Sequence, residues 1–165
     1  MASETPPTVD KAPTPSGSRW RSSLLVVILV VTGLLILAAT EFPPRPPPIS
    51  YSFVLIAGLD GTPTFNGATP GPTLTVSLDA TVRVTLRVAP TASGPHSWML
   101  VPLGGTPSSP VAFPGANTTD PTVGTPPGGS ATATFTANVP GSYRYICGVD
   151  GHYLDGMWGA FNVTT

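Results

Sequence analysis

The sole cysteine, one of only two histidines and one of three methionines fall within eleven residues, CGVDGHYLDGM at 147–157. The spacing is C-x4-H-x4-M. The other histidine, His96, stands 51 residues before Cys147, ahead of an apolar stretch. A thiol, two imidazoles and a thioether are the donors of a mononuclear blue-copper (type 1) site. The thiolate and both imidazoles make a trigonal plane, and the thioether approaches weakly along one axis. Soft sulfur suits Cu(I) and imidazole accommodates Cu(II), so one geometry can serve both oxidation states. The pattern predicts His96, Cys147, His152 and Met157 as ligands of one copper ion.

Each residue alone has a plainer reading: an inert core thiol, hydrogen-bonded histidines, a core-filling methionine. Their joint occurrence at this spacing favours a metal. A thiol hydrolase fits poorly, because Cys147 and His152 share one short segment and no third orienting residue is apparent. Zinc seldom takes a thioether, and a four-donor type 1 set leaves no open position for a substrate. No enzyme activity is expected.

Such a site needs strands to hold it. Residues 49–57, 73–78, 81–88, 97–101, 131–137, 142–147 and 157–163 alternate polar with apolar or are rich in β-branched and aromatic residues. Gly and Pro punctuate between them. Seven short strands without a helical period predict an all-β sandwich. Cys147 then closes one strand and Met157 opens the next, with Gly148, Gly151 and Gly156 letting the intervening loop turn. His96 must arrive from a separate strand. Residues 102–129, dense in Pro, Gly, Ser and Thr, read as a long surface loop.

Composition narrows the rest. The chain has 165 residues with a net charge of −1, which excludes a polybasic nucleic-acid binder. One cysteine excludes an intramolecular disulfide and any multi-cysteine cluster. Charged residues are 9% of the chain, so Thr, Ser, Gly and Asn must cover much of the surface. A domain with few carboxylates has few ionised interactions to lose in acid, which suits an acidic exterior. Asn117 and Asn162 head glycosylation-type triplets.

Residues 1–18 read as a disordered tail. Residues 19–41 read as a transmembrane anchor: 22–40 hold no charge, and a helix of that length spans about 28 Å, near the thickness of a bilayer core. Lys11, Arg19 and Arg21 precede the run, placing the N-terminus in the cytoplasm and the following domain outside the cell membrane, extracellular or periplasmic. A cleaved signal peptide is the alternative, although the run is long for that role. Residues 42–48 form a Pro-rich spacer, leaving 49–165 as the exported domain.

The stretches NGATPGPTLTVSLD (66–79), HSW (96–98), GSYRYIC (141–147), GH (151–152) and GMWG (156–159) together resemble the cupredoxins. The resemblance covers about 50–165. The C-x4-H-x4-M spacing looks like that of rusticyanin and sulfocyanin, and the anchor favours the sulfocyanin-like branch. The resemblance implies a cupredoxin-like Greek-key β-sandwich behind one N-terminal transmembrane helix, with the same four residues as ligands. It also implies electron carriage between a respiratory-chain donor and acceptor, partners of the oxidase or cytochrome kind. Ser97 stands where many cupredoxins have an Asn that braces the ligand loop, as it does in rusticyanin. That likeness implies a high reduction potential and acid tolerance. In this family the histidine of the ligand loop reaches an apolar surface patch, which here would make His152, rimmed by Tyr153 and Leu154, the electron port. Two further readings stand beside it: a copper-free cupredoxin-like binding or adhesion module, and a copper-delivery protein. The retained ligand set speaks against the first and the scarcity of Met and His against the second.

Overall fold

Alternation along the chain is realised as seven strands: β1 (Ser50–Ala57), β2 (Gly71–Ser77), β3 (Ala80–Val88), β4 (Met99–Pro102), β5 (Ser130–Ala137), β6 (Gly141–Ile146) and β7 (Trp158–Thr164). The structure is a computed structural model and describes residues 47–165, together with Val27. The tail, the anchor apart from Val27, and most of the spacer lie outside the described residues. Among the described residues no helix is long and apolar enough to cross a membrane.

The strands form two sheets, one ordered β1-β3-β5 and the other β2-β7-β6-β4. Every connection except that from β6 to β7 carries the chain to the other sheet. β1 runs parallel to β3, and β2 parallel to β7; the remaining neighbours are antiparallel. The architecture is therefore the all-β sandwich that the alternation predicts.

The alternation sets the register. On β3, Ala80, Val82, Val84, Leu86 and Val88 are buried, while Arg83 and Arg87 face solvent. On β5 the inward residues are Ala133, Phe135 and Ala137, and on β7 they include Phe161 and Val163. A one-residue slip would expose all of them. Trp98, Phe135, Phe113 and Tyr145 stack through the middle of the sandwich at centroid separations of 5.6 to 6.2 Å. The outer face of β4 and β6 is covered as well, by a smaller cluster of Met99, Val101 and Ile146 packed with Val111, Tyr153 and Trp158.

Residues 102–129 form the long loop read in the sequence, exposed over much of its length. Between β4 and β5 the segment holds no strand, yet it lies along 96–100 and closes the sandwich edge. Thr125 and His96 exchange backbone hydrogen bonds, at 2.7 and 3.0 Å. Thr118 N donates to Trp98 O, and Leu100 N to Ala116 O. Phe113, Ala116 and Thr118 are buried. The backbone of His96 and Trp98 is engaged by this segment and the N–H of Ser97 by Cys147 Sγ, and β4 begins at Met99 rather than at 97. Pro and Gly in the segment suppress a regular ladder without preventing isolated bridges. Within it the Asn117 amide is engaged, donating to Thr118 O.

Tyr145 ties β6 to β2 across β7. Its hydroxyl donates to Pro72 O at 2.6 Å, and its ring lies across the facing pair Gly71 and Gly159. A Cβ at Gly159 would run into that ring. Gly159→Ala is therefore expected to cost about 1–3 kcal/mol in chemical denaturation, the range of overpacked cores. Gly94→Ala, where a Cβ meets nothing within 4 Å, should stay within about 0.5 kcal/mol of the parent.

Candidate metal centre

Cys147 follows the last residue of β6 and Met157 precedes the first of β7. Because β6 and β7 pair directly, the ends of the intervening loop must meet: Cys147 N donates to Met157 O at 3.1 Å, and Met157 N to His152 O at 3.0 Å. Inside the loop, His152 N donates to Val149 O and Gly156 N to Tyr153 O. Gly151 and Gly156 adopt left-handed φ of 80° and 89°, which other residues take only with strain. The short loop thus folds His152 back toward Cys147, whose Sγ lies 3.4 Å from His152 Nδ1.

His96 arrives from the segment before β4, as the sequence requires. Donor atoms of His96, Cys147 and His152 all lie within 4.8 Å of one another, and the two imidazole centroids are 4.7 Å apart. Met157 is fully buried in the same core cluster as Cys147. His96 and Cys147 are buried too, whereas His152 is half-exposed.

Ser97 joins the two segments. Its N–H donates to Cys147 Sγ at 3.3 Å, its Oγ lies 3.7 Å from that sulfur, and Gly148 N donates to the same Oγ at 2.8 Å. The serine serves as the brace that the resemblance implies. Burial pushes the Cys147 thiol up, opposed by the N–H groups of Ser97 and Val149 and by the Ser97 hydroxyl. Burial, and then the nearby His152, push His96 down to about 4. Burial also lowers His152, against the attraction of Asp155.

The donor set fits copper on an observation of its own. Both ring nitrogens of His96 are buried and have no hydrogen-bond partner among the described residues. A buried polar atom left unpaired costs about 1–3 kcal/mol, and a metal ion would satisfy one of these nitrogens. Two imidazoles held neutral beside a thiol also match what a metal requires of its ligands.

Two supports were not legible in the chain. Gly58, at φ 72°, packs against His96: a Cβ there would stand 2.6 Å from Nε2 and 2.5 Å from Ala92 Cβ. Gly124 lies against the His96 backbone, so a Cβ there would stand 3.1 Å from it. Both contacts are long-range, and a lone glycine after a strand or within a loop carries no sign of what will cross it.

No family model matches the chain. Auracyanin-B of Chloroflexus aurantiacus is 35% identical over 83 residues, covering 42% of this chain and 35% of that protein. The chain thus spans about a third of the length of that relative. Reduced rusticyanin is similar in structure, with a TM-score of 0.53 and 26% identity over 72% of this chain and 81% of the other. So is dithionite-reduced auracyanin from Roseiflexus castenholzii, with a TM-score of 0.52 and 25% identity over 71% of this chain and 99% of the other.

The chain has the cupredoxin fold and carries the donor residues of a type 1 copper site.

Within the cupredoxin domain, His96, Cys147, His152 and Met157 form a set consistent with one type 1 copper ion. The kinship runs to auracyanin and rusticyanin.

The imidazoles give the metal-free domain a pH dependence of definite sign. Unfolded, His96 takes a proton near pH 6.5; folded, not until about 4. In that window the unfolded state holds more protons, so stability falls as pH drops, by up to about 1.4 kcal/mol per pH unit for this residue. Denaturation midpoints of the copper-free protein should decline across the window and stop declining for this reason below it. His96→Gln should flatten the decline, and an equally steep decline in that variant would reject the assignment.

Proposed function

We propose that this protein is a membrane-anchored blue-copper electron carrier, with His96, Cys147, His152 and Met157 as the copper ligands. The observation that carries the reading is the convergence of His96, Cys147 and His152 in one cluster, two of them buried, with neither His96 nitrogen partnered among the described residues. Bound copper would supply a one-electron Cu(II)/Cu(I) couple.

The chain's own residues favour that use. The loop between β6 and β7 is closed by its own hydrogen bonds, and Ser97 holds the thiol by backbone and hydroxyl. Donors fixed in this way need little rearrangement between oxidation states. Burial of Cys147, His96 and Met157 keeps water from the site. An apolar surround disfavours the more highly charged oxidised state, which favours a high potential. Four protein donors leave no position for a substrate, which supports carriage over catalysis.

His152 is the half-exposed member of the set, so its imidazole edge is the route to a partner. Leu154, two residues on, is 84% exposed. It lines an open cavity of about 480 Å³ with Thr106, Pro107, Thr122, Asp150 and Tyr153. An apolar side chain at that exposure suits a transient, weakly polar contact with a redox protein. Respiratory-chain partners of the oxidase or cytochrome kind remain part of the proposal. So does the anchor over 19–41, supported by the uncharged run 22–40 and the basic residues before it. The copper domain would then stand outside the membrane on its Pro-rich spacer, in a sulfocyanin-like arrangement.

Leu154→Asp should leave the visible spectrum of the copper-loaded protein in place while slowing electron self-exchange, read from NMR line broadening, by about tenfold, because a desolvated charge at the contact repels its own copy. Unchanged self-exchange would place the port elsewhere.

A further inference from the structure

Arg144, in β6, stands three residues before Cys147 and faces the outer side of the second sheet with Val101 and Ala160. Its guanidinium carbon lies 4.2 Å from the centroid of the Trp158 ring. Its Nη1 donates to the Tyr153 hydroxyl at 3.0 Å. Tyr153 directly follows His152, and Trp158 directly follows Met157. One half-buried cation therefore grips the residue next to each of two candidate ligands and sits on the strand that delivers the third. Tyr153 and Trp158 also pack on the cluster of Met99, Val101 and Ile146, so the grip has a firm floor.

We propose that Arg144 is a positioning residue that, through Tyr153 and Trp158, pre-forms the ligand loop and sets the placement of His152 and Met157. The proposal rests on the copper-carrier reading of the site. Backbone hydrogen bonds inside the loop close it on itself, and Gly148 N ties its neck to Ser97 Oγ. Arg144 adds a side-chain hold further along, from the sheet to Tyr153 and Trp158. A planar guanidinium can stack on the indole while directing an N–H at the phenol; an ammonium at the end of a flexible stem cannot hold both in one geometry. The rim that the sequence assigned to the electron port is thereby divided. Leu154 is exposed, whereas the Tyr153 hydroxyl is engaged with the arginine.

The test uses the full chain with Arg144→Met, Arg144→Lys and Tyr153→Phe, and with Arg83→Met on the outer face of the first sheet as a control. In the metal-free protein, amide exchange across 150–156 should rise about tenfold in Arg144→Met and less in Tyr153→Phe, while the control matches the parent. In the copper-loaded protein, the copper hyperfine splitting and the ratio of the thiolate-to-copper bands should shift in the same order, with Arg144→Lys recovering part of the shift. Parental exchange, or faster exchange with an unchanged copper spectrum, would overturn the proposal. Should Arg144→Met fail to fold, Tyr153→Phe decides by the same readouts. Absence of any thiolate-to-copper band in the unsubstituted chain would sink the copper reading instead. Exchange alone would then decide whether the arginine holds the loop, faster supporting and unchanged overturning.

Discussion

The contact between Ser97 and Cys147 joins two stretches of chain fifty residues apart, and the rest of the site depends on it. The serine gives its N–H to the sulfur and takes an N–H from Gly148 on its hydroxyl oxygen. His96 is thereby fixed against the neck of the β6–β7 loop, and the loop's other end is fixed by the pairing of Cys147 with Met157. Both sheets are needed for this. The first sheet brings Gly58, just past β1, against His96; the second supplies β4, β6 and β7.

The arrangement carries a cost that shows what it is for. Two imidazoles and a thiol are gathered where burial disfavours their charged forms, and one imidazole has no hydrogen-bond partner among the described residues. A sequence selected for stability alone would place apolar groups there. Concentrating orphaned donors at one end of a well-packed sandwich is the mark of a site whose missing interaction is a metal ion. The same burial revises the expectation of acid tolerance. A scarcity of carboxylates removes one route of acid unfolding, but His96 introduces another in the metal-free state.

Much of this was legible in the residues. Alternation in 81–88 and 131–137 named the strands and their inward faces, since the period of two leaves one register that buries Val82, Val84 and Phe135. The C-x4-H-x4-M run named three donors, because a short loop between paired strands must return them to one place. His96 was named by chemistry rather than by position, as the other imidazole in the chain. What stayed hidden was long-range. Residues 102–129 look like a solvated loop because Pro and Gly mask the few bridges that pin them to 96–100. Gly58, Gly124 and Arg144 gain their meaning from what crosses them, which no local pattern encodes.

The central claim is that these donors hold one redox-active copper ion. Its most direct test is the visible absorption spectrum of the full chain loaded with Cu(II), before and after ascorbate, beside Cys147→Ser. The account predicts an intense thiolate-to-copper band at one copper per chain that bleaches on reduction and is missing from the serine variant. A chain that stays folded with Cys147 as a free thiol and shows no such band would contradict it.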